Sequence, residues 1–245
     1  MTKDLHGRMI YLLQNIYSHV KAKVKSKDGL TSSFVCNLGV RQGCTLSPWL
    51  FAMYINELAS EMEQSGGNGI FIHGDFHNVM LLLFADDLVP IADTPVDLQR
   101  RLNCLENYYE KWNMTVNMDK SNIIVLKNGG DLSKNEMGYF KDELIKVVSY
   151  HKYLGVFFSS RLKWTMCCKT LRIQSEKAIN MIKHCMTKLG SRDINFGFRL
   201  FDSMVALIVY YGAEIWGTDK VKDIPMIIHL QFGFSQFISF REEDL

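Results

Sequence analysis

Leu5, Met9, Leu12, Leu13 and Ile16 recur at helical spacing, which predicts an amphipathic helix over residues 4–18. The period then falls to two. Val20, Ala22 and Val24 alternate with Lys21, Lys23 and Lys25, and Lys27-Asp28-Gly29 supplies a turn before a second strand over residues 30–36. Ser47-Pro48 has the grammar of a helix start, a hydroxyl cap followed by a proline whose missing N–H costs nothing there. That helix is expected to reach Gln64, where Gly66, Gly67 and Gly69 stop it. Residues 70–73 and 79–85 read as two strands joined by a polar turn at 75–78, and residues 88–92 as another strand. Thr94-Pro95, with Asp97 in the first turn, opens a helix to Trp112, followed by a strand at 123–126 and a loop over 127–138.

Residues 147–158 are apolar and rich in β-branched and aromatic side chains, the signature of a strand pair or one bent strand. Helical periodicity returns after them. Leu171, Ala178, Ile182, Cys185 and Leu189 fall on one side of a wheel, and Lys169, Arg172, Glu176 and Lys183 nearly opposite. Residues 197–211 predict a further helix, while the tail at 218–245, with its aromatic run, carries no assignment. Strands paired locally and mixed with helices make the expected class α+β.

The cationic helix face changes how the charge is read. The formal net charge of the 245 residues is only +2, yet residues 1–27 hold six Lys/Arg against Asp4 alone, and residues 161–192 hold eight against Glu176 alone. Two basic segments on an acidic body fit a polyanion-binding protein with an acidic metal-binding centre; two solvated surfaces fit equally well. The lysine face of the hairpin is open in the same way, to a phosphate backbone or to an edge strand guarded against aggregation. Six cysteines without repeating spacing imply reduced thiols and an intracellular setting. No apolar run reaches the roughly 18 residues needed to cross a bilayer. Cys167, Cys168, His184 and Cys185 fall within a helical pattern and match no usual zinc spacing, so packed thiols are expected. His73 and His77 read as turn residues.

Asp86 and Asp87 are the most informative residues, because they lie between the apolar runs 79–85 and 88–92. Adjacent carboxylates at the turn of a buried hairpin repel and lose hydration, which favours a raised pKa or a bound hard divalent cation. An ordinary polar hairpin tip is the alternative, although tight turns prefer a glycine that is missing here. The second constellation is Gly39-Val40-Arg41-Gln42-Gly43-Cys44-Thr45-Leu46-Ser47-Pro48, a glycine-bracketed loop entering a helix. Its glycines permit close backbone approach, the Arg41 fork suits phosphate or carboxylate, and Gln42 both donates and accepts; it also reads as a plain strand-to-helix connection.

Taken in order, these segments resemble the reverse transcriptases of non-LTR, LINE-type retrotransposons. Phe84-Ala85-Asp86-Asp87 is similar to the polymerase C motif, and Arg41-Gln42-Gly43-Cys44 through Ser47-Pro48 to the B motif. Trp112-Asn113-Met114, Val116-Asn117 and Lys120-Ser121 are similar to the D motif, and Tyr153-Leu154-Gly155-Val156 to the E motif or primer grip. Tyr211-Gly212-Ala213-Glu214-Ile215-Trp216-Gly217 is similar to the segment that follows the thumb. The resemblance implies a partial right-hand palm over residues 1–160 and a helical thumb over 161–217. It implies two-metal nucleotidyl transfer with Mg²⁺, or Mn²⁺, at Asp86 and Asp87, and Lys120 as proton donor to the leaving pyrophosphate. Arg41, Gln42 and Gly43 would meet the templating base and incoming deoxynucleoside triphosphate. Tyr153, Leu154 and Gly155 would place the primer end, and Lys169, Arg172 and Lys183 would face the RNA template and DNA primer duplex.

The pattern departs from the family at its start. The motif A aspartate lies further upstream of the B motif than the 38 residues before Gly39 allow, and neither Asp4 nor Asp28 has the β-strand context to replace it. The expectation is therefore a truncated polymerase, lacking motif A and most of the fingers and inactive alone. A non-catalytic nucleic-acid-binding remnant, an unstable pseudogene product and, more distantly, an RNA-dependent RNA polymerase are the other readings. Pro90, unable to donate in a ladder, places its strand at a sheet edge or at a bend.

Overall fold

A computed structural model describes residues 7–36, 39–67, 69–71, 78–127, 129–130, 136–190 and 193–217, and the chain divides into two units, Met1–Thr115 and Val116–Leu245. The boundary expected at 160/161 falls within the second. His73, His77 and the tail at 218–245 lie outside the described residues.

In the first unit, α1 (Gly7–Tyr17) precedes two short antiparallel ladders. β1 (Lys21–Ala22) pairs with β4 (Phe34–Val35), and β2 (Lys25–Ser26) with β3 (Gly29–Leu30), so the lysine hairpin forms as its alternation predicts. Val24, Leu30, Phe34 and Val35 are exposed along with the lysines. α2 (Ser47–Gln64) has the predicted bounds but a different cap. Leu46 occupies the cap position, and the turn that bonds the Ser47 amide to the Cys44 carbonyl at 3.1 Å draws Ser47 into the helix. The Ser47 hydroxyl instead donates to the Arg41 carbonyl at 2.6 Å.

Ile70 and Val79 form an antiparallel bridge, and β5 (Leu81–Phe84) and β6 (Asp87–Pro90) form a hairpin in which Phe84 opposes Asp87 and Leu81 opposes Pro90. β6 is an edge, as its proline requires. α3 (Pro95–Lys111) starts where the sequence places it: Thr94 accepts the Asp97 amide at 3.1 Å and donates to the Asp97 carboxylate at 2.7 Å. Ile55, Leu58 and Met62 of α2 and Leu102, Leu105 and Tyr108 of α3 are buried. The two helices are stitched by Tyr108 Oη to the Tyr54 carbonyl at 2.8 Å, by Tyr54 Oη to the Trp112 carbonyl, and by Lys111 to Glu61 at 2.7 Å.

The second unit opens with a 3₁₀ turn, Met118–Lys120, and β7 (Asn122–Ile123), shorter than the predicted strand. β8 (Tyr139–Phe140) and β9 (Glu143–Leu144) form a hairpin, and β10 (Lys146–Val147) pairs parallel with β7. β11 (Tyr150–Tyr153) and β12 (Val156–Ser159) form the predicted strand pair. α4 (Thr165–Leu189), α5 (Ile194–Phe201), a π-helical turn at Asp202–Ala206, α6 (Leu207–Val209) and α7 (Ala213–Trp216) follow, so the helix expected at 197–211 begins earlier and is interrupted.

α4 buries Cys168, Leu171, Ser175, Ile179, Ile182 and Met186, whereas Cys185 and Leu189 are exposed. Each residue turns the helix by about 100°, so the buried stripe that passes through Met186 carries Cys185 to its side. Packed thiols hold for Cys167 and Cys168 but not for Cys185. Ile179, Ile182 and Met186 join Phe201, Val205 and Val209 in one cluster. Val156, Trp164, Cys167, Cys168, Leu171 and Trp216 make a second, which ties β12 to α4 and α7. The class is α+β.

Candidate functional site

The aspartates sit on a tight turn. β5 and β6 are joined by Ala85 and Asp86 alone, and Ala85 takes φ +52°, a left-handed conformation that is costly for a residue with a Cβ. The expected glycine-free turn thus forms by straining an alanine. The hairpin is not buried, which corrects the expectation from its apolar sequence. Asp86 and Asp87 are exposed, and so are Leu82, Leu83 and Phe84, the last at 60%. The physical reason is the sheet itself, which has only these two strands, leaving both edges and one apolar face without a neighbouring strand among the described residues.

Neither carboxylate makes a side-chain hydrogen bond or ion pair among the described residues, so both are open to a cation. No group of three or more His, Cys, Asp or Glu suited to a metal gathers among those residues. Two hard oxygen donors nevertheless fit Mg²⁺, which binds through one or two carboxylates and completes its shell with water and phosphate oxygens.

The glycine-bracketed loop is clasped to α1. Arg41 Nη2 donates to the Ile16 carbonyl at 2.7 Å and its guanidinium lies 5.8 Å from the centre of the Tyr17 ring, so part of the fork expected to meet phosphate is already engaged. Tyr17 Oη also reaches Cys44 Sγ at 4.0 Å and Ser47 Oγ at 3.4 Å. The Leu46 amide, helped by the Tyr17 and Ser47 hydroxyls and opposed by burial, holds the Cys44 thiol below its ordinary pKa. Gln42 and Gly43 are exposed, and Gly43 takes φ +78°, which needs a glycine. No hydrogen bond or ion pair joins this loop to Asp86 or Asp87 among the described residues.

The remaining residues belong to the second unit. Lys120 is exposed at the end of its 3₁₀ turn. Tyr153, Leu154 and Gly155 form the β11–β12 turn, in which Leu154 (φ +45°) and Gly155 (φ +85°) are both left-handed, the type I′ geometry that suits a two-residue hairpin. On α4, Lys169 is exposed, Lys183 is half-buried, and Arg172 Nε is paired with Glu176 at 2.8 Å. The cationic face forms, with the Arg172 charge partly neutralised.

The family model described as reverse transcriptase (RNA-dependent DNA polymerase) matches residues 5–158. The chain belongs to the reverse transcriptase family. The Pol polyprotein from the type-1 retrotransposable element R2 of Popillia japonica is 28% identical over 168 residues, covering 62% of this chain and 23% of that protein. The uncharacterized 149 kDa protein of transposon TX1 from Xenopus laevis is 28% identical over 152 residues, 60% of this chain and 11% of that one. The RNA-directed DNA polymerase from mobile element jockey of Drosophila melanogaster is 19% identical over 237 residues, 94% of this chain and 25% of that one. This is a reverse transcriptase domain of the non-LTR retrotransposon type, and it spans a quarter or less of the length of these relatives. No helix among its described residues is long and apolar enough to cross a membrane.

Two residues of the reverse transcriptase domain escaped the sequence reading of the site. Arg101, wholly buried on α3, donates to the Met80 carbonyl at 3.5 Å just before β5. Tyr211 donates to the Leu154 carbonyl at 2.7 Å. An arginine inside a helical apolar stripe is the signal that could have found the first. The motif around Tyr211 was visible, but its partner was not.

Proposed function

We propose that this domain carries a partial palm and the thumb of an RNA-directed DNA polymerase, with the partial palm over residues 1–160 and the thumb over 161–217. In this reading Asp86 and Asp87 hold the divalent ion, Mg²⁺ or Mn²⁺, which supplies positive charge against the triphosphate. The observation that carries it is the pair of unencumbered carboxylates on a strained turn, inside the segment that matches the family model.

In this reading the chain's own residues divide the work. Gln42 and Gly43 meet the templating base and incoming deoxynucleoside triphosphate, with Arg41 holding the loop to α1. The primer 3′-oxygen, giving up its proton to solvent, attacks the α-phosphorus. The bond from that phosphorus to the bridging oxygen breaks, and Lys120 protonates the departing pyrophosphate. The Tyr153 to Gly155 turn places the primer end, and Lys169, Arg172 and Lys183 hold the template–primer duplex through its phosphates.

The exposure of both aspartates, with no third acid beside them among the described residues, supports a second reading: a domain that holds RNA–DNA hybrid without extending it. Primer extension on an RNA template with Mg²⁺ or Mn²⁺ separates the two. Incorporation that Asp86→Ala abolishes refutes the inert domain. Hybrid retained by a chain that incorporates nothing, together with no loss of Mn²⁺ binding in Asp86→Asn, refutes the catalytic one.

A further inference from the structure

The motif at residues 211–217 has no part in the chemistry above, yet it closes on the turn assigned to the primer end. Tyr211 Oη donates to the Leu154 carbonyl at 2.7 Å, across 57 residues of sequence. Its ring lies so near the turn that a Cβ on Gly155 would sit 2.8 Å from Cε1. The far side of the contact is also fixed. Trp216, buried among Val156, Trp164 and Leu171, donates from Nε1 to the Tyr211 carbonyl at 2.9 Å. Gly212 takes φ +68°, and a Cβ there would lie 2.9 Å from Val156 Cγ2. The two glycines therefore face each other's neighbours. Gly155 admits the Tyr211 ring, and Gly212 admits Val156, the residue that follows Gly155.

We infer that Tyr211 is a positioning residue, a latch that fixes the Leu154–Gly155 turn and through it the primer terminus. This rests on the primer-end role proposed for the β11–β12 turn. A type I′ turn satisfies its own inner hydrogen bonds but leaves the carbonyl of its first central residue pointing outward. At Leu154 that carbonyl is held by a phenol whose backbone is anchored in a packed cluster, so the turn is tied to the helical part of the unit and not only to its own strands. A residue that touches no substrate can in this way set where a substrate end rests.

Tyr211→Phe keeps the ring against Gly155 and removes only the hydroxyl. Two readouts test it in the full chain: amide hydrogen exchange of the peptide spanning Leu154 and Gly155, and anisotropy with an RNA–DNA hybrid carrying a recessed primer 3′ end, set against the same hybrid with blunt ends. The expected result is faster exchange at the turn and a loss of preference for the recessed end by about five-fold, with blunt-end affinity unchanged. Trp216→Phe, which frees the Tyr211 carbonyl, gives the same two changes by a second route. Unchanged exchange overturns the latch. Faster exchange with the preference intact, or an equal loss on both hybrids, overturns the positioning role. A native chain with no preference for recessed ends overturns the primer-end role and the positioning role with it, while the exchange measurement still shows whether the latch exists.

Discussion

Arg101 Nη1 and the Ile91 amide converge on one acceptor, the Met80 carbonyl, at 3.5 Å and 2.8 Å. Arg101 is wholly buried, and its Nε and Nη2 have no partner among the described residues. Burial lowers its pKa, with Asp97 and Asp93 opposing. One long bond offsets little of the cost of burying a guanidinium. Arg101→Met, similar in bulk and without charge, is expected to melt at or above the native temperature. Arg101→Ala is expected to lose roughly 2 kcal/mol or more by leaving a cavity. Thermal unfolding of the two variants checks this, and a Met variant far less stable than the native chain would show that the Met80 bond outweighs desolvation.

The Thr94 side chain both accepts and donates as the N-cap of α3, to the amide and carboxylate of Asp97. Thr94→Ala should cost about 1 kcal/mol and Thr94→Ser much less. Denaturant midpoints at constant slope measure both.

Gly155→Ala meets two penalties, a left-handed backbone and the Tyr211 ring. The expected loss is about 2 kcal/mol. Because part of it is the ring contact, the same substitution in a Tyr211→Ala background should cost less, and a double-mutant cycle in chemical denaturation reads the difference. Strict additivity would place the whole effect in the backbone.

Burial, with Glu57 and Glu61 nearby, pushes the Tyr108 phenol up to about 12 from its ordinary 10. Between those values the unfolded chain releases a proton that the folded chain keeps, so stability is level below pH 10 and falls as pH rises towards 12. Burial raises the neighbouring Tyr109 phenol as well, so absorbance titration should show late-ionising tyrosines of which Tyr108→Phe removes one, and melts of that variant should be flatter across the same window.

Glu176 draws on the cation of Arg172 at 2.8 Å. Glu176→Gln frees it, and hybrid binding should tighten about two-fold with a steeper dependence on salt, as one more phosphate is neutralised. Anisotropy over a salt series is the measurement; an unchanged slope would remove Arg172 from the interface.

Where local chemistry decides, the sequence was a sufficient guide. Thr94-Pro95-Asp97 and the Lys27-Asp28-Gly29 turn need only their neighbours to form, and both stand where they were expected. Ser47 misled because the turn that bonds its amide to the Cys44 carbonyl draws it inside the helix, where its hydroxyl donates to the Arg41 carbonyl and accepts no helix amide. Cys185 and Leu189 misled because a wheel cannot tell which edge of an apolar stripe its partners will cover. The aspartate turn was found by its composition, yet its exposure was not, since an apolar run records what a strand could bury and not whether another strand lies beside it. Tyr211 and Leu154 meet only through tertiary packing, for which single-residue patterns carry no signal.

That meeting also sets an order in time. Tyr211 lies 57 residues beyond Leu154, so a ribosome adds the residues of the β11–β12 hairpin well before the phenol that closes on them. Any product stopped in between, by a premature codon or a protease, lacks both the hydroxyl that holds the Leu154 carbonyl and the Trp216 indole that anchors Tyr211, and the completeness of translation becomes part of what fixes this turn.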